Sequence, residues 1–468
     1  MAAGKGTRMK SNLPKVLHKA AGRTMLGQVW HEVRAAGIDN CVIVVGHGAE
    51  QVQASLAGEP GCRFALQMPQ LGTGHCVQQA LPQILPQTQA VLILCGDTPL
   101  LRAQTINAMY QRYAASQQKD NQPLAGLLLT TILDNPHGYG RIVRNNDGSV
   151  TAIVEEKDAS AEQRQIREIN AGAYIFNYAA LQSALARLDN NNAQGEYYLT
   201  DVISLLAADG QRLDTLPAAD PLETTGVNDR VQLAAAAAEL FRRKAEELML
   251  AGVTIINPVS CCIEMDVQVG ADTIIYPNCQ LRGQTSIGSG CVIDSDCLIT
   301  DSQIGNDCTI TKSVLNQATI GDRANIGPFA YLRPGANLAE DVKVGDFAEL
   351  KNARIGRGSK IPHLSYIGDA EVGENVNIGC GTITCNYDGV NKHLTKIGNN
   401  VFVGSNSNLV APVEVQDDAF IAAGSTITKQ VGAGALAVER SPQREIANWG
   451  REKSPKALAA IKSSPKQD

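Results

Sequence analysis

From Val269 onward the chain repeats an aliphatic residue every six positions. Val269, Ile275, Leu281, Ile287 and Ile293 open the series, and Ile304 and Ile310 follow. Ile320, Ile326, Leu332, Leu338, Val344 and Leu350 keep register. The series returns at Val372 and Ile378 and runs through Ile397, Val403, Leu409, Val415, Ile421 and Ile427. This period fits neither a helix nor an alternating strand, so it predicts a solenoid of stacked coils. Each unit predicts a short strand on one face of a triangular coil, with the aliphatic and the small residue four later pointing inward. Cys279, Cys291, Cys297 and Cys308 hold that second position, where other coils carry Thr285, Ala324, Ala330, Ala336 or Ser425. They read as core residues of a protein in a reducing compartment. Register falters between Leu350 and Val372 and again between Ile378 and Ile397. Within the second gap, Asn386-Tyr387-Asp388-Gly389 reads as an excursion from the coil, and loops that leave a solenoid commonly build its binding face.

The first ~230 residues have a different pattern, one of short apolar runs alternating with helical segments. Cys41 to Val45, Ala90 to Cys95 and Ala125 to Leu133 predict buried strands, and the arrangement predicts a mostly parallel α/β sheet. Arg141 to Glu156 predicts an edge hairpin, since two β-rich runs flank Asn-Asn-Asp-Gly. Asp229 to Leu250 has neither Pro nor Gly and predicts a long helix joining the two halves. The expected organisation is a domain over 1–230, a linker helix over 231–251 and a solenoid domain over 252–468, with a mobile tail beyond Trp449.

Composition narrows the partners. The 468 residues are 44% hydrophobic and 19% charged, with a net charge of −6. No global basic field is available to draw in nucleic acid. No apolar run approaches a membrane span or a signal core. These features point to a cytoplasmic protein acting on small molecules, with any anionic substrate met by local basic clusters.

One such cluster stands at the N-terminus. Ala2-Ala3-Gly4-Lys5-Gly6-Thr7-Arg8, with Pro14-Lys15 behind it, is a glycine-rich loop followed by two cations. Glycines let backbone N–H groups approach phosphate oxygens, and Arg8 and Lys15 could neutralise charge during transfer at phosphorus. Alone, the loop could equally be a turn. Four further segments change that: Gln67 with Gln70-Leu71-Gly72-Thr73-Gly74-His75, Gly96-Asp97-Thr98-Pro99-Leu100, Gly138-Tyr139-Gly140-Arg141 and Gly226-Val227-Asn228. Together they resemble the sugar nucleotidyltransferases. With the solenoid added, nearly the whole chain is similar to the family of bifunctional uridyltransferase–acetyltransferases that act on N-acetylglucosamine 1-phosphate and glucosamine 1-phosphate.

The resemblance implies a Rossmann-like nucleotidyltransferase joined by a long helix to a left-handed parallel β-helix. Arg8 and Lys15 would be catalytic. Ala2, Ala3, Gly4, Gln67, Gly72, Thr73 and Asp97 would hold uracil and nucleotide, and Gly140, Glu155, Asn170 and Thr200 the amino sugar. Asp97 and Asn228 would hold Mg2+. Read from the residues alone, Asp97 could cap the next helix and Asn228 could be an N-cap. In the family an apolar strand runs into the Ala-Ala-Gly motif, whereas here the motif begins at Met1. The expectation is a start further upstream, without which the phosphate loop loses part of its anchor.

In the second half the resemblance to hexapeptide-repeat acyltransferases implies a homotrimer with active sites at the chain junctions. Removing a proton from an amine suits histidine, and His363 in Lys360-Ile361-Pro362-His363-Leu364-Ser365-Tyr366 is the candidate base, with Glu349 a possible orienting carboxylate. Arg333, Lys351, Tyr366, Asn377 and Lys392 would hold glucosamine 1-phosphate. Cys380, Asn386, Tyr387, Ser405, Ala423 and Arg440 would hold acetyl-CoA. The cations could instead be solvated surface charges, and Ser405 and Ala423 plain coil residues. The activity expected is acetyl transfer from acetyl-CoA to glucosamine 1-phosphate, then uridylyl transfer from UTP, giving UDP-N-acetylglucosamine. The alternatives are a nucleotidyltransferase whose solenoid only trimerises or regulates it, and a binding subunit whose sites have decayed.

Overall fold

The computed structural model describes residues 1–119, 122–450, 455, 456 and 459. The chain divides into two compact units. One holds Met1–Ala251, Asn257–Val267 and Gln280–Gly283, and the other holds Gly252–Ile256, Gln268–Cys279 and the chain from Gln284 onward. The tail expected to be mobile lies for the most part outside the described residues.

The first unit is an α/β fold. Cys41–Val45 and Cys62–Leu66 form a parallel pair, and Leu213–Pro217 runs parallel to Gly126–Ile132. The ten-residue strand Glu168–Asn177 enters between Ala90–Ile93 and Gly126–Ile132 and runs antiparallel to both. The expected hairpin forms at one edge, with Arg141–Arg144 paired to Val150–Val154. The apolar faces of this sheet are covered by helices. Leu128, Ile142, Phe176, Leu181, Val202 and Ile203 form one core cluster, and Val29, Ile106, Met109, Leu127 and Ile175 another.

Met1–Ala3 lies between the Cys41–Val45 ladder and the larger sheet. Ala2 N donates to Val44 O at 2.8 Å, the Met1 amino group donates to Leu94 O at 2.8 Å, and Gly96 N donates to Met1 O at 2.9 Å. The phosphate loop therefore emerges from the carboxyl ends of neighbouring strands, where open α/β sheets bind ligands. The long helix forms over Arg230–Leu250, capped by the Asp229 side chain, which accepts from Gln232 N at 2.8 Å. Its Ala236 and Leu240 bury against Ala20, Met25, Leu100 and Val227 of the first unit.

The second unit is a parallel β-helix. One face stacks Ile275 on Ile293, Ile293 on Ile310, Ile310 on Ile326, Ile326 on Val344 and Val344 on Ile361. All of these, and the other ladder aliphatics apart from Val269, are buried. Cys279, Cys291, Cys297 and Cys308 are buried inside the coil, as the pattern requires. Aspartate and asparagine take left-handed backbone at many corners, among them Asp272, Asn278, Asp307, Asn375 and Asp418. Their short polar side chains tolerate that conformation better than most.

The first faltering of register is not an opening in the coil. Ile355, Ile361 and Ile367 fill the core between Leu350 and Val372, and the phase changes because the steps Leu350 to Ile355 and Ile367 to Val372 are five residues each. The second is a true excursion. Ile378 pairs with Val403, twenty-five positions on, where Val403 pairs with Ile421 after eighteen. Among the described residues no helix is long and apolar enough to cross a membrane.

Candidate active sites

In the first unit the strand ending at Ile93 leads through Leu94-Cys95-Gly96 to Asp97. The Val227 N–H donates to Asp97 O at 2.9 Å, which lays Asn228 beside Asp97. Lys15 leaves a short 3-10 turn and completes the cluster. Its ammonium donates to Asp97 Oδ2, and to Asn228 Oδ1 at 3.0 Å. Arg8 stays exposed on the Thr7–Met9 turn. Arg230 braces the segment between these two cations, donating from Nε to Met9 O at 3.3 Å and lying 3.2 Å from His18 Nδ1.

Gln67, Gly72 and Thr73 gather beside the loop. Gln67 Nε2 donates to Gly72 O at 2.9 Å, and Thr73 Oγ1 accepts from Leu199 N at 2.9 Å. Gly72 has a φ of 112°, and a Cβ there would come within 2.5 Å of Tyr197 O, so only glycine fits. Ala2 and Ala3 are buried and Gly4 is exposed. Gln70 was given no role by the sequence, yet its side-chain amide donates to Ala3 O at 2.8 Å and fixes the loop's first turn.

The four residues expected to meet the sugar also come together. Asn170 N donates to Gly140 O at 2.9 Å, and Thr200 Oγ1 donates to Glu155 Oε1 at 3.2 Å. A Cβ on Gly140 would lie 2.9 Å from the Ile153 side chain and 3.5 Å from the Glu155 carboxylate. Burial lifts the Glu155 carboxyl above its ordinary range, and the Thr200 hydrogen bond offsets part of that. Asn170 Nδ2 donates to the buried Tyr174 hydroxyl at 2.6 Å, and Asn170 Oδ1 accepts from Gly172 N at 3.1 Å. Cys95, whose thiol donates to Gly172 O at 3.5 Å, is half-buried, and desolvation pushes its pKa up to about 12.

In the β-helix, His363 ends the strand Lys360–His363. Its Nδ1 lies 2.5 Å from Asp346 Oδ1, one coil back, and the hydrogen bond from His363 holds the Asp346 carboxyl below the usual carboxylate range. Glu349, the carboxylate expected to orient His363, instead accepts from Arg333 Nη1 at 2.7 Å. The coil register explains the difference, because Asp346 and His363 are paired residues of adjacent strands, whereas Glu349 opposes Tyr366.

The same corner carries the residues expected to bind acetyl-CoA. Asp346, His363, Cys380, Ser405 and Ala423 each follow by two positions a stacked core aliphatic, namely Val344, Ile361, Ile378, Val403 and Ile421. They form one column over successive coils, and Arg440 closes it by donating to Ala423 O at 2.8 Å. Asn386 donates from its side chain to Asp369, at the root of the excursion. Tyr387 is exposed. Its hydroxyl donates to Gly389 O at 2.6 Å within the excursion.

Arg333 and Lys351 stack on the next face, with Leu332 and Leu350 paired beneath them. Lys392 returns from the excursion beside Lys351, and this like charge, with Arg333 beyond it, lowers the Lys351 pKa. Tyr366 begins the strand that follows the turn after His363, and Asn377 lies opposite Lys360. Three cations thus gather next to the column, a concentration of charge suited to a phosphate.

A sheet with a cationic phosphate loop at its strand ends, followed by a hexapeptide coil with a histidine at its corner, defines a nucleotidyltransferase and an acyltransferase in one chain. Residues 1–125 match the family described as MobA-like NTP transferase domain, and residues 394–429 match the bacterial transferase hexapeptide family of six repeats. The chain is 53% identical to the bifunctional protein GlmU of Heliobacterium modesticaldum over 96% of each chain. It is 51% identical to that of Carboxydothermus hydrogenoformans, over 95% of this chain and 97% of the other, and 51% identical to that of Trichlorobacter lovleyi over 96% of each. The chain belongs to the GlmU family of bifunctional proteins. It is a transferase, and its coil is a left-handed β-helix.

Proposed function

We propose that the cluster around Lys15, Asp97 and Asn228 performs uridylyl transfer and that the His363 corner performs acetyl transfer. The overall reaction is the synthesis of UDP-N-acetylglucosamine, in which acetyl-CoA first acetylates glucosamine 1-phosphate and UTP then uridylylates the product. The pairing of His363 with Asp346 at the foot of a coil-long column carries this reading, because a solenoid that only trimerises has no use for it.

In the acetyl half, Asp346 accepts from Nδ1–H of His363, which leaves Nε2 unprotonated and able to take a proton from the substrate ammonium. The freed amine attacks the thioester carbonyl, the C–S bond breaks, and CoA leaves as a thiolate that is then protonated. Arg333, Lys351 and Lys392 hold the sugar phosphate, aided by Tyr366 and Asn377. Cys380, Ser405 and Ala423 line the acetyl-CoA column with Asn386 and Tyr387 beside it, and Arg440 meets a CoA phosphate.

In the uridylyl half, a phosphate oxygen of N-acetylglucosamine 1-phosphate attacks the α-phosphorus of UTP and pyrophosphate leaves. Such chemistry is mostly positioning and charge neutralisation. Ala2, Ala3, Gly4, Gln67, Gly72 and Thr73 hold the nucleotide, Gly140, Glu155, Asn170 and Thr200 hold the sugar, and Arg8 and Lys15 neutralise the phosphates. The donor set fits Mg2+, since Asp97 and Asn228 already turn one oxygen each toward a single cation, the Lys15 ammonium. Mg2+ favours one or two protein oxygens alongside waters and phosphates, and when bound it would offset triphosphate charge.

We take 1–230 as the uridyltransferase domain, 231–251 as the linker helix and 252–468 as the acetyltransferase domain. A homotrimer is supported by the flat flanks of a coil stack with Phe329 and Phe347 exposed on it. The two co-substrates and twelve free cysteines support a cytoplasmic setting.

The test is to supply acetyl-CoA, glucosamine 1-phosphate, UTP and Mg2+ and to follow CoA and pyrophosphate separately. His363→Ala should lower CoA release by about a hundredfold or more and leave pyrophosphate release from added N-acetylglucosamine 1-phosphate intact. Asp97→Asn should do the reverse. CoA release that survives His363→Ala would rule out His363 as the base.

A further inference from the structure

The sugar subsite of the first unit rests on an ion pair between a buried arginine and a partly exposed glutamate that none of its proposed substrate contacts includes. Arg141 is 1% exposed. Its guanidinium donates to Tyr139 O, to Glu156 Oε2 at 2.6 Å and to Arg164 O at 3.4 Å. Glu156 Oε2 also accepts from Gly138 N at 3.4 Å. The guanidinium and its carboxylate therefore hold the backbone of Gly138 and Tyr139, just before Gly140, and Glu156 is the immediate neighbour of Glu155. Glu155 and Glu156 enter the turn that follows the strand Val150–Val154, where Asp158 N donates to Glu155 O at 3.0 Å, so the hold on Glu156 limits where its chain neighbour Glu155 can sit. Gly140 O is in turn the acceptor that fixes Asn170 N.

We propose that Arg141 is a positioning residue for the amino-sugar phosphate and that, with Glu156, it sets the places of Gly140, Glu155 and Asn170 without touching substrate. The inference rests on the reading of those residues, with Thr200, as the amino-sugar subsite. Burying the arginine costs desolvation, and an apolar residue of equal volume often serves stability as well or better. The fork geometry gives what an apolar residue lacks: a planar group reaching two carbonyls and a carboxylate at once. Because the contacts end at the sugar side of the site, the pair governs the sugar phosphate and leaves UTP binding alone.

Steady-state kinetics of pyrophosphate release on the full chain test this with Arg141→Lys, Glu156→Gln and Asn170→Ala. Lysine keeps the charge and loses the fork. Arg141→Lys should raise KM for N-acetylglucosamine 1-phosphate about tenfold, with KM for UTP and the rate of CoA release within about twofold of the parent. Glu156→Gln should move the same constant in the same direction by about threefold. If Arg141→Lys does not fold, Glu156→Gln decides alone, since its side chain is one-quarter exposed. A purely structural role would lower Tm and leave both KM values unchanged or shift them together, and either result overturns the proposal. Asn170→Ala separates the two failures. An unchanged sugar-phosphate KM in that variant removes the subsite reading itself, whereas a raised one beside unaffected Arg141 and Glu156 variants removes only the positioning role.

Discussion

Asp346 lies seventeen positions before His363, one coil of the helix, and that distance decides both its role and its visibility. Its carboxyl is held below the usual range by the hydrogen bond from the histidine. It therefore keeps the imidazole in one tautomer. Asp346→Asn should lower acetyl-transfer kcat by about a hundredfold, since a side-chain amide can present N–H where the imidazole also presents N–H. KM for acetyl-CoA should change little, and a kcat within twofold of the parent would remove Asp346 from the mechanism. As a candidate base, His363 is legible in the sequence because its segment resembles one of the acyltransferase family. Its partner is not, because contact in a solenoid follows coil length rather than proximity in the chain, and Glu349, the carboxylate that the sequence suggests, pairs with Arg333. Counting back from Ile361 to Val344 would have found it. The Gln70 contact with Ala3 O has no such signal, since any surface glutamine reads the same.

At the scale of elements, the six-residue ladder foretold the strands and their inward faces, and its two irregularities differ in kind. The five-residue steps at Ile355 and Val372 only shift phase, and in the sequence they look like a break because a strict six-residue period passes over them. The antiparallel entry of Glu168–Asn177 was equally hidden, as an apolar strand reads alike in either direction. The excursion between Ile378 and Val403 was legible from its Asn-Tyr-Asp-Gly turn. Asp388 ties it down by accepting from Asn391 N at 2.6 Å, His393 Nε2 at 2.7 Å and Val390 N at 2.8 Å. These bonds, the Asn391 N–H first, depress its carboxyl to about 2. A depressed carboxyl contributes above its unfolded range and loses that contribution as pH falls through the folded value, so the tie holds down to strongly acid pH. Asp388→Ala should release Lys392 from its place beside Lys351 and raise KM for glucosamine 1-phosphate about fivefold, with Tm nearly unchanged because the loop is exposed. A lowered Tm with no change in KM would make the loop a structural tie alone.

For the whole molecule, the change of period from alternating α/β runs to sixes marked two chemistries in one chain, and each proposed site is built from residues of a single unit. That arrangement bears on how the reactions connect. The acetylated product carries the same phosphate as its precursor and, on the proposed assignments, must leave the cations Arg333, Lys351 and Lys392 to reach Lys15. If it does so through solvent, the two sites need not be intact in the same molecule. On the proposed assignments, chains carrying His363→Ala should make almost no N-acetylglucosamine 1-phosphate, and chains carrying Asp97→Asn should make it and hardly use it. Each alone should give almost no UDP-N-acetylglucosamine from glucosamine 1-phosphate. An equimolar mixture should recover synthesis after a lag, because the intermediate must first accumulate toward the KM of the uridylyl site before the second rate approaches the first. The lag should shorten in proportion as the Asp97→Asn chain is raised and vanish when N-acetylglucosamine 1-phosphate is added at the start. Failure of the mixture to recover, with each single activity intact, would mean that the intermediate is passed on without release and that the two halves depend on each other in a way their separate sites do not require.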